Sequence, residues 1–286
     1  INKFINPATD GAVLPILHLN GFKIANPTIL SRISKAELDC FLKGCGWNPY
    51  YVEGSNPLEM HELMAKTLDQ VIEKIKSIQK QARETQNVPR QLWPMIVLRT
   101  PKGWTGPKEV DGKPVEGSFR SHQVPIIISE NSKENVKILE EWMKSYHPEE
   151  LFDEHGTLKK EIKDLAPIGD HRMGANKHAN GGILLRDLKV PDFRNYALDI
   201  KKPGAFMAQD MIELGKFVKG IIDANEDNKN FRIFGPDEAL SNRLNAIFES
   251  TNRAWELPIS AEDEFLNKSG RVIDSMLSEH LCEGAL

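Results

Sequence analysis

Five polar positions stand just past apolar runs in this chain: Asn20, Lys102, His122, the turn from Asp237 to Arg243, and Glu283. In open α/β sheets, ligands sit beyond the carboxyl ends of the strands, so chemistry is expected at such places. The residue types suit it. A histidine moves a proton near neutral pH, an arginine forks onto phosphate oxygens, and a carboxyl group in a dry pocket can keep its proton. Each position also has an ordinary explanation: Asn20 as support for a turn, His122 as a satisfied loop histidine, Arg243 as a helix-surface ion pair, Glu283 as a solvated acid. The short signatures GxGxxG, GxxxxGK[ST], HExxH and GxSxG are absent, and the eight histidines are scattered, which argues against a His/Cys metal cage.

The elements that must position these residues follow from the apolar pattern. Val13 to Leu19 reads as a buried strand that stops at the tight turn Asn20-Gly21, and Ala25-Asn26-Pro27 turns the chain away. Ser34-Lys35-Ala36-Glu37 has capping-box spacing and predicts a short helix. Tyr50-Tyr51-Val52 predicts a strand. A long helix then starts at Asn56-Pro57, with Met60, Met64, Leu68, Val71, Ile72, Ile75 and Ile78 on one face. Pro94 to Arg99 is the next buried strand. Strand, helix, strand is a βαβ unit and implies a parallel sheet covered by helices.

Val124 to Ile128 reads as a further short strand, and Ser132 to Tyr146 as a helix with Val136, Leu139, Trp142 and Met143 as its apolar face. Beyond that the periodicity weakens, and only Met207 to Asn225 predicts a helix, with Met211, Leu214, Val218 and Ile221 in register. The pattern resumes with a strand at Phe231 to Phe234, a helix capped by Asp237 and running through Phe248, and a last strand at Arg271 to Leu277.

The bulk numbers bound the rest. A length of 286 residues suits roughly two domains. At 40% hydrophobic and 27% charged, with a net charge of -4, the chain reads as an ordinary globular protein without a basic surface for nucleic acid. No apolar run approaches the roughly 20 residues that span a bilayer, so no membrane partner is expected. Three cysteines without CxxC spacing suggest reduced thiols and a cytoplasmic protein. Both ends look like cuts through a larger protein.

Five segments, HLNGFKIANPT, RTPKGWTGP, EGSFRSHQVP, FGPDEALSNRL and SEHLCEG, resemble phosphoketolases in order and spacing from Asn2 to about Gly284. The first also resembles the second half of the thiamine diphosphate motif. The resemblance implies an α/β chain built from parts of two thiamine-diphosphate-binding domains, with parallel sheets covered by helices. Residues 1–148 would be the C-terminal part of the diphosphate-binding domain, 149–230 an interdomain linker with one helix, and 231–286 the start of the pyrimidine-binding domain.

The implied reaction cleaves xylulose 5-phosphate or fructose 6-phosphate with inorganic phosphate, through the cofactor ylid, to acetyl phosphate and a shorter aldose phosphate. Asn20 and the Phe22 carbonyl would ligate Mg²⁺, with Gly21 beside the cofactor. Lys102 and His122 would face the diphosphate and the reacting sugar, and Ser241 and Arg243 the substrate phosphate. Glu283 would bind the aminopyrimidine ring and share a proton with it. In this superfamily the cofactor bridges two subunits, which implies a homodimer or higher homo-oligomer of the full-length protein. The Gly-Asp-Gly half of the motif would lie upstream of Ile1, so the piece alone is expected to be inactive. The alternatives are a transketolase-type carboligase and a structural fragment that binds no cofactor.

Overall fold

The computed structural model describes residues 2–85, 90–122, 124–130, 132–176, 186–274 and 278–285. Two compact units account for them, one formed by residues 11–167 and the other by 1–10 together with 168–286.

In the first unit, strands β1 (Ile16–His18), β2 (Trp47–Glu53) and β3 (Trp93–Arg99) form a sheet of order β1-β3-β2 in which every pairing is parallel. The cap half of the expected capping box forms: Ser34 accepts from the Glu37 N–H at 3.1 Å and opens the helix Lys35–Gly44. Asn56 caps the 28-residue helix Pro57–Glu84 by accepting from the N–H groups of Leu58 and Glu59, with Pro57 where its missing N–H costs nothing. That helix buries Met60, Thr67, Val71 and Ile78, and Met60 and Val71 pack with Val52 and Ile96 of the sheet. Burying each of these large apolar side chains stabilises the unit by roughly 1.5–3 kcal/mol. On the other side, Leu38 and Leu42 pack with Leu19, Met95 and Val97.

Three expectations are corrected here. The first strand is shorter than Val13 to Leu19 and lies at the sheet edge, which leaves Ile16 49% exposed; of that run only Leu19 is buried. Ile72 is exposed because the helix turns Thr67 and Val71 toward the sheet instead. Val124 to Ile128 pairs with no strand among the described residues; Pro125 offers no N–H, and of this stretch only Ile126 is buried, against Val110 and Val115. Those two valines frame a small hairpin, β4 (Glu109–Val110) and β5 (Lys113–Pro114), turned by Asp111 and Gly112 with φ of 52° and 69°. The helix Lys133–Lys144 covers it with Ile138, Leu139 and Trp142, while Val136 and Met143 stay exposed.

In the second unit, β6 (Ile233–Gly235), β7 (Arg253–Ala254), β8 (Leu266–Asn267) and β9 (Val272–Asp274) form a second parallel sheet of order β6-β9-β7-β8. The helix Asp210–Ala224 packs on it through Val218 and Ile222, against Ile247, Phe248 and Val272; Leu214 is exposed. Of the expected last strand, Val272–Asp274 is observed, and residues 275–277 lie outside the described residues.

The helix expected from Asp237 through Phe248 does not form. Asp237 and Arg243 take left-handed φ values of 66° and 64°, and the Ser241 hydroxyl and Asn242 amide donate to the Glu238 carbonyl. The Asn242 N–H still makes the helical bond to that carbonyl at 3.0 Å, but the left-handed Arg243 ends the turn, with the Leu244 N–H donating back to the Ala239 carbonyl at 3.0 Å, and only the 3₁₀ turn Asn245–Glu249 follows. Among the described residues, no helix is long and apolar enough to cross a membrane.

Candidate functional site

The parallel order β1-β3-β2 puts the carboxyl ends of β1 and β3 side by side, so the loops that leave them are neighbours. The loop after β1 is built on itself. The Asn20 side-chain oxygen accepts from the Phe22 N–H at 3.1 Å, and Gly21 has φ of 98°, a conformation that favours glycine. The Gly21 carbonyl accepts from the Thr28 N–H at 3.0 Å and from the Ser31 hydroxyl at 3.1 Å, while the Lys23 N–H donates to the Asn26 carbonyl at 2.7 Å. The hydroxyl of Thr28 is buried without a hydrogen-bond partner among the described residues.

The loop after β3 closes onto it. Lys102 is only 8% exposed, and its ammonium donates to the backbone carbonyl of Lys23. The same nitrogen lies 3.2 Å from Nδ1 of His122. The Lys102 carbonyl accepts from the Gly117 N–H at 2.7 Å, which draws the segment carrying His122 alongside. Gly103 permits this approach: with φ of 69°, a Cβ there would stand 2.4 Å from the Cβ of Ser121. The tryptophans of the region fix the loop from outside, since the Trp104 indole donates to the Ser55 carbonyl at 2.7 Å and the Trp142 indole to that of Thr105 at 3.1 Å.

His122 follows the 3₁₀ turn Phe119–Ser121, which Ser118 caps by accepting from the Arg120 N–H. Its exposed ring lines a cavity of about 480 Å³ shared with Ile24, Asp111, Lys113, Arg120 and Val124.

The structure therefore brings Asn20, Gly21, Phe22, Lys102 and His122 together at one end of the first sheet. Ser241, Arg243 and Glu283 belong to the second unit. Ser241 and Arg243 lie on the exposed turn after β6, where Arg243 has no ion pair among the described residues. Glu283 is exposed on the helix Glu279–Ala285. The sequence reading passed over the pair His18 and Thr100, whose Nε2 and Oγ1 lie 2.7 Å apart across β1 and β3. Each sits two residues before a site residue, Asn20 and Lys102, and that shared spacing was the available signal.

Comparison with known proteins shows the family. Residues 1–184 match the family described as "XFP N-terminal domain", and residues 212–286 match "D-xylulose 5-phosphate/D-fructose 6-phosphate phosphoketolase". The chain belongs to the phosphoketolase family. It is 63% identical to a "Probable phosphoketolase" of Clostridium acetobutylicum over all 286 residues, and 59% identical over 285 residues to one of Rhodopirellula baltica. A "Probable phosphoketolase 2" of Lactiplantibacillus plantarum is 56% identical over 287 aligned residues. In each case the match covers 100% of this chain and 36% of the relative's length, so the chain spans about a third of these phosphoketolases.

Proposed function

We propose that the chain is the central part of a cytoplasmic phosphoketolase that uses thiamine diphosphate and Mg²⁺. The reaction splits xylulose 5-phosphate, fructose 6-phosphate or both with inorganic phosphate. The products are acetyl phosphate, water, and glyceraldehyde 3-phosphate or erythrose 4-phosphate. The observation that carries this reading is the convergence of the Asn20–Lys23 loop, Lys102 and His122 at the carboxyl ends of two adjacent parallel strands.

The donor set fits the groups it would hold. Asn20 offers an amide oxygen and Phe22 a main-chain carbonyl, both hard ligands of the kind Mg²⁺ takes while sharing its shell with a diphosphate. Beyond its two chain neighbours, no described residue comes within 4 Å of the place where a Cβ of Gly21 would stand, so the backbone there is open to close approach. Lys102 spends donors on Lys23 and His122, and an ammonium has three, which leaves one for a phosphate oxygen. When bound, the cofactor supplies the nucleophilic carbon and the electron sink.

The chain's own residues bind and orient. Asn20, Gly21 and Phe22 hold the metal and the cofactor's diphosphate, and Lys102 neutralises charge there. His122 meets the oxygens of the sugar, and Ser241 with the forked guanidinium of Arg243 takes the substrate phosphate. Glu283 would hold a proton against the aminopyrimidine; that task needs a carboxyl group shielded from water, and since Glu283 is exposed in this chain, the shielding would have to come from the remainder of the full-length oligomer. In this reading residues 1–148 are the C-terminal part of the diphosphate-binding domain, 149–230 the linker and 231–286 the start of the pyrimidine-binding domain. The full-length protein is a homodimer or a higher homo-oligomer.

Calorimetric titration of the full-length protein with thiamine diphosphate and Mg²⁺ tests the metal site. The protein should bind the cofactor, and Asn20→Ala should weaken binding at least about tenfold, the cost of losing one interaction to a charged group. Tight binding indifferent to Asn20→Ala would refute the assignment.

A further inference from the structure

The contact between Lys102 and His122 carries information about a proton. A lysine ammonium has three N–H donors and no lone pair, so any ring nitrogen it touches must accept. The nitrogen 3.2 Å from Lys102 is Nδ1 of His122, and among the described residues no other group hydrogen-bonds that ring. An alkyl amine is far more basic than an imidazole, so in an N–H···N contact between the two the proton stays on the amine. Burial of Lys102 and its second hydrogen bond to the Lys23 carbonyl fix the direction from which it donates.

We infer that Lys102 holds His122 as the neutral tautomer protonated at Nε2, so that the ring meets a ligand with an N–H donor and not with a lone pair. Nδ1 is taken, and Nε2 is the nitrogen left for whatever enters the cavity that His122 lines. The other charged groups lining that cavity are Asp111, Lys113 and Arg120, two cations and one carboxylate, a setting for an anionic, oxygen-rich ligand. If the phosphoketolase reading holds, and this consequence rests on it, His122 donates to an oxygen of the sugar phosphate or of inorganic phosphate. Lys102 then acts as a positioning residue through His122 in addition to its own charge. The alternative arrangement, a neutral Lys102 amine accepting from Nδ1–H, would give His122 a free lone pair at Nε2 and the role of a base.

Nitrogen NMR of the full-length protein labelled with ¹⁵N-histidine, without cofactor or substrate, separates the two. The His122 signals are assigned by their loss in His122→Gln. At neutral pH the account expects Nδ1 at the shift of an unprotonated ring nitrogen and Nε2 at that of a protonated one. Lys102→Met should move both toward tautomer averaging, and Lys102→Arg, which keeps a donor, should restore them. A protonated Nδ1 in the unaltered protein overturns the inference, as does a Lys102→Met spectrum identical to it.

The kinetic counterpart compares His122→Gln, whose amide keeps a donor near the Nε2 position, with His122→Ala. Glutamine should retain at least about tenfold more kcat/KM, roughly the worth of one hydrogen bond to a charged group. Equal loss in both would contradict the donor role. Because the NMR measurement needs neither ligand, it can fail while cofactor binding succeeds, or the reverse.

Discussion

The ammonium of Lys102, on the loop after β3, donates to the backbone carbonyl of Lys23, on the loop after β1, across 79 residues of sequence. The contact locks together the two loops that leave adjacent parallel strands and buries a cation beside Asn20 and Phe22 of the proposed metal site. Lys102→Met keeps the volume and removes the charge. Thiamine diphosphate affinity of the full-length protein should fall by about 10- to 100-fold, as expected when a hydrogen bond to a charged group worth roughly 1.5–3 kcal/mol is lost. Titration calorimetry reads this directly, and an unchanged affinity would remove Lys102 from the cofactor site.

Gly103 tests whether the site depends on close backbone approach. Any other residue meets two obstacles, a φ of 69° and the Cβ of Ser121 at 2.4 Å. Gly103→Ala should lower stability by about 1–3 kcal/mol, the usual range for overpacking, and should weaken cofactor binding as Lys102 shifts. Adding Ser121→Gly should recover part of the stability, because it removes the clash but leaves the strained φ. Thermal unfolding of the single and double variants gives the comparison.

Arg253 and Asp274 join β7 to β9 in the second sheet. The Asp274 side chain is fully buried and accepts from Arg253 Nε at 3.0 Å, while its Oδ1 has no hydrogen-bond partner among the described residues. Arg253 also lies over the Phe248 ring, 4.3 Å from its centroid. Arg253→Met leaves the carboxylate uncompensated and should cost about 3–5 kcal/mol. The double change Arg253→Met/Asp274→Leu should restore much of that loss, and additive losses in a double-mutant cycle would show that the two residues are not coupled.

Glu256, just after β7, gives a pH dependence. Burial pushes its carboxyl group above the ordinary range, opposed by Lys268, whose Nζ is 3.9 Å from Oε2, and reinforced by the negative charge of Asp10. Its Oε1 is buried without a hydrogen-bond partner among the described residues. The folded chain therefore holds this proton more tightly than the unfolded chain does. The contribution to stability is fully present below the ordinary carboxylate range and is lost as pH rises through the raised value. Glu256→Gln should remove that slope and be more stable than the unaltered protein near neutral pH. Urea unfolding across a pH series checks it; parallel curves for the two proteins would contradict the shift.

Local signals carried much of this fold. The Ser34 helix cap, the Asn56-Pro57 helix start and the alternation of strands with helices each rest on neighbours in sequence, and each formed as expected. Two failures have non-local or competing causes. Nothing in Val13 to Leu19 reveals that it lies at a sheet edge with Ile16 uncovered, since edge position depends on where other strands pair. From Asp237 to Phe248 the apolar spacing of a helix is present, but Asp237 and Arg243 turn left-handed and the helical hydrogen bonding stops after one turn. At the site, Asn20, Lys102 and His122 stood out because polar residues interrupted apolar runs. The Lys102–Lys23 and Lys102–His122 contacts did not, because they join segments 79 and 20 residues apart.

The central claim is the reaction, and product formation tests it most directly. The full-length protein, supplied with thiamine diphosphate, Mg²⁺ and xylulose 5-phosphate or fructose 6-phosphate, should release acetyl phosphate, trapped as the hydroxamate, only when inorganic phosphate is present. A new ketose phosphate formed with no acetyl phosphate would contradict the account and point to a transketolase-type carboligase.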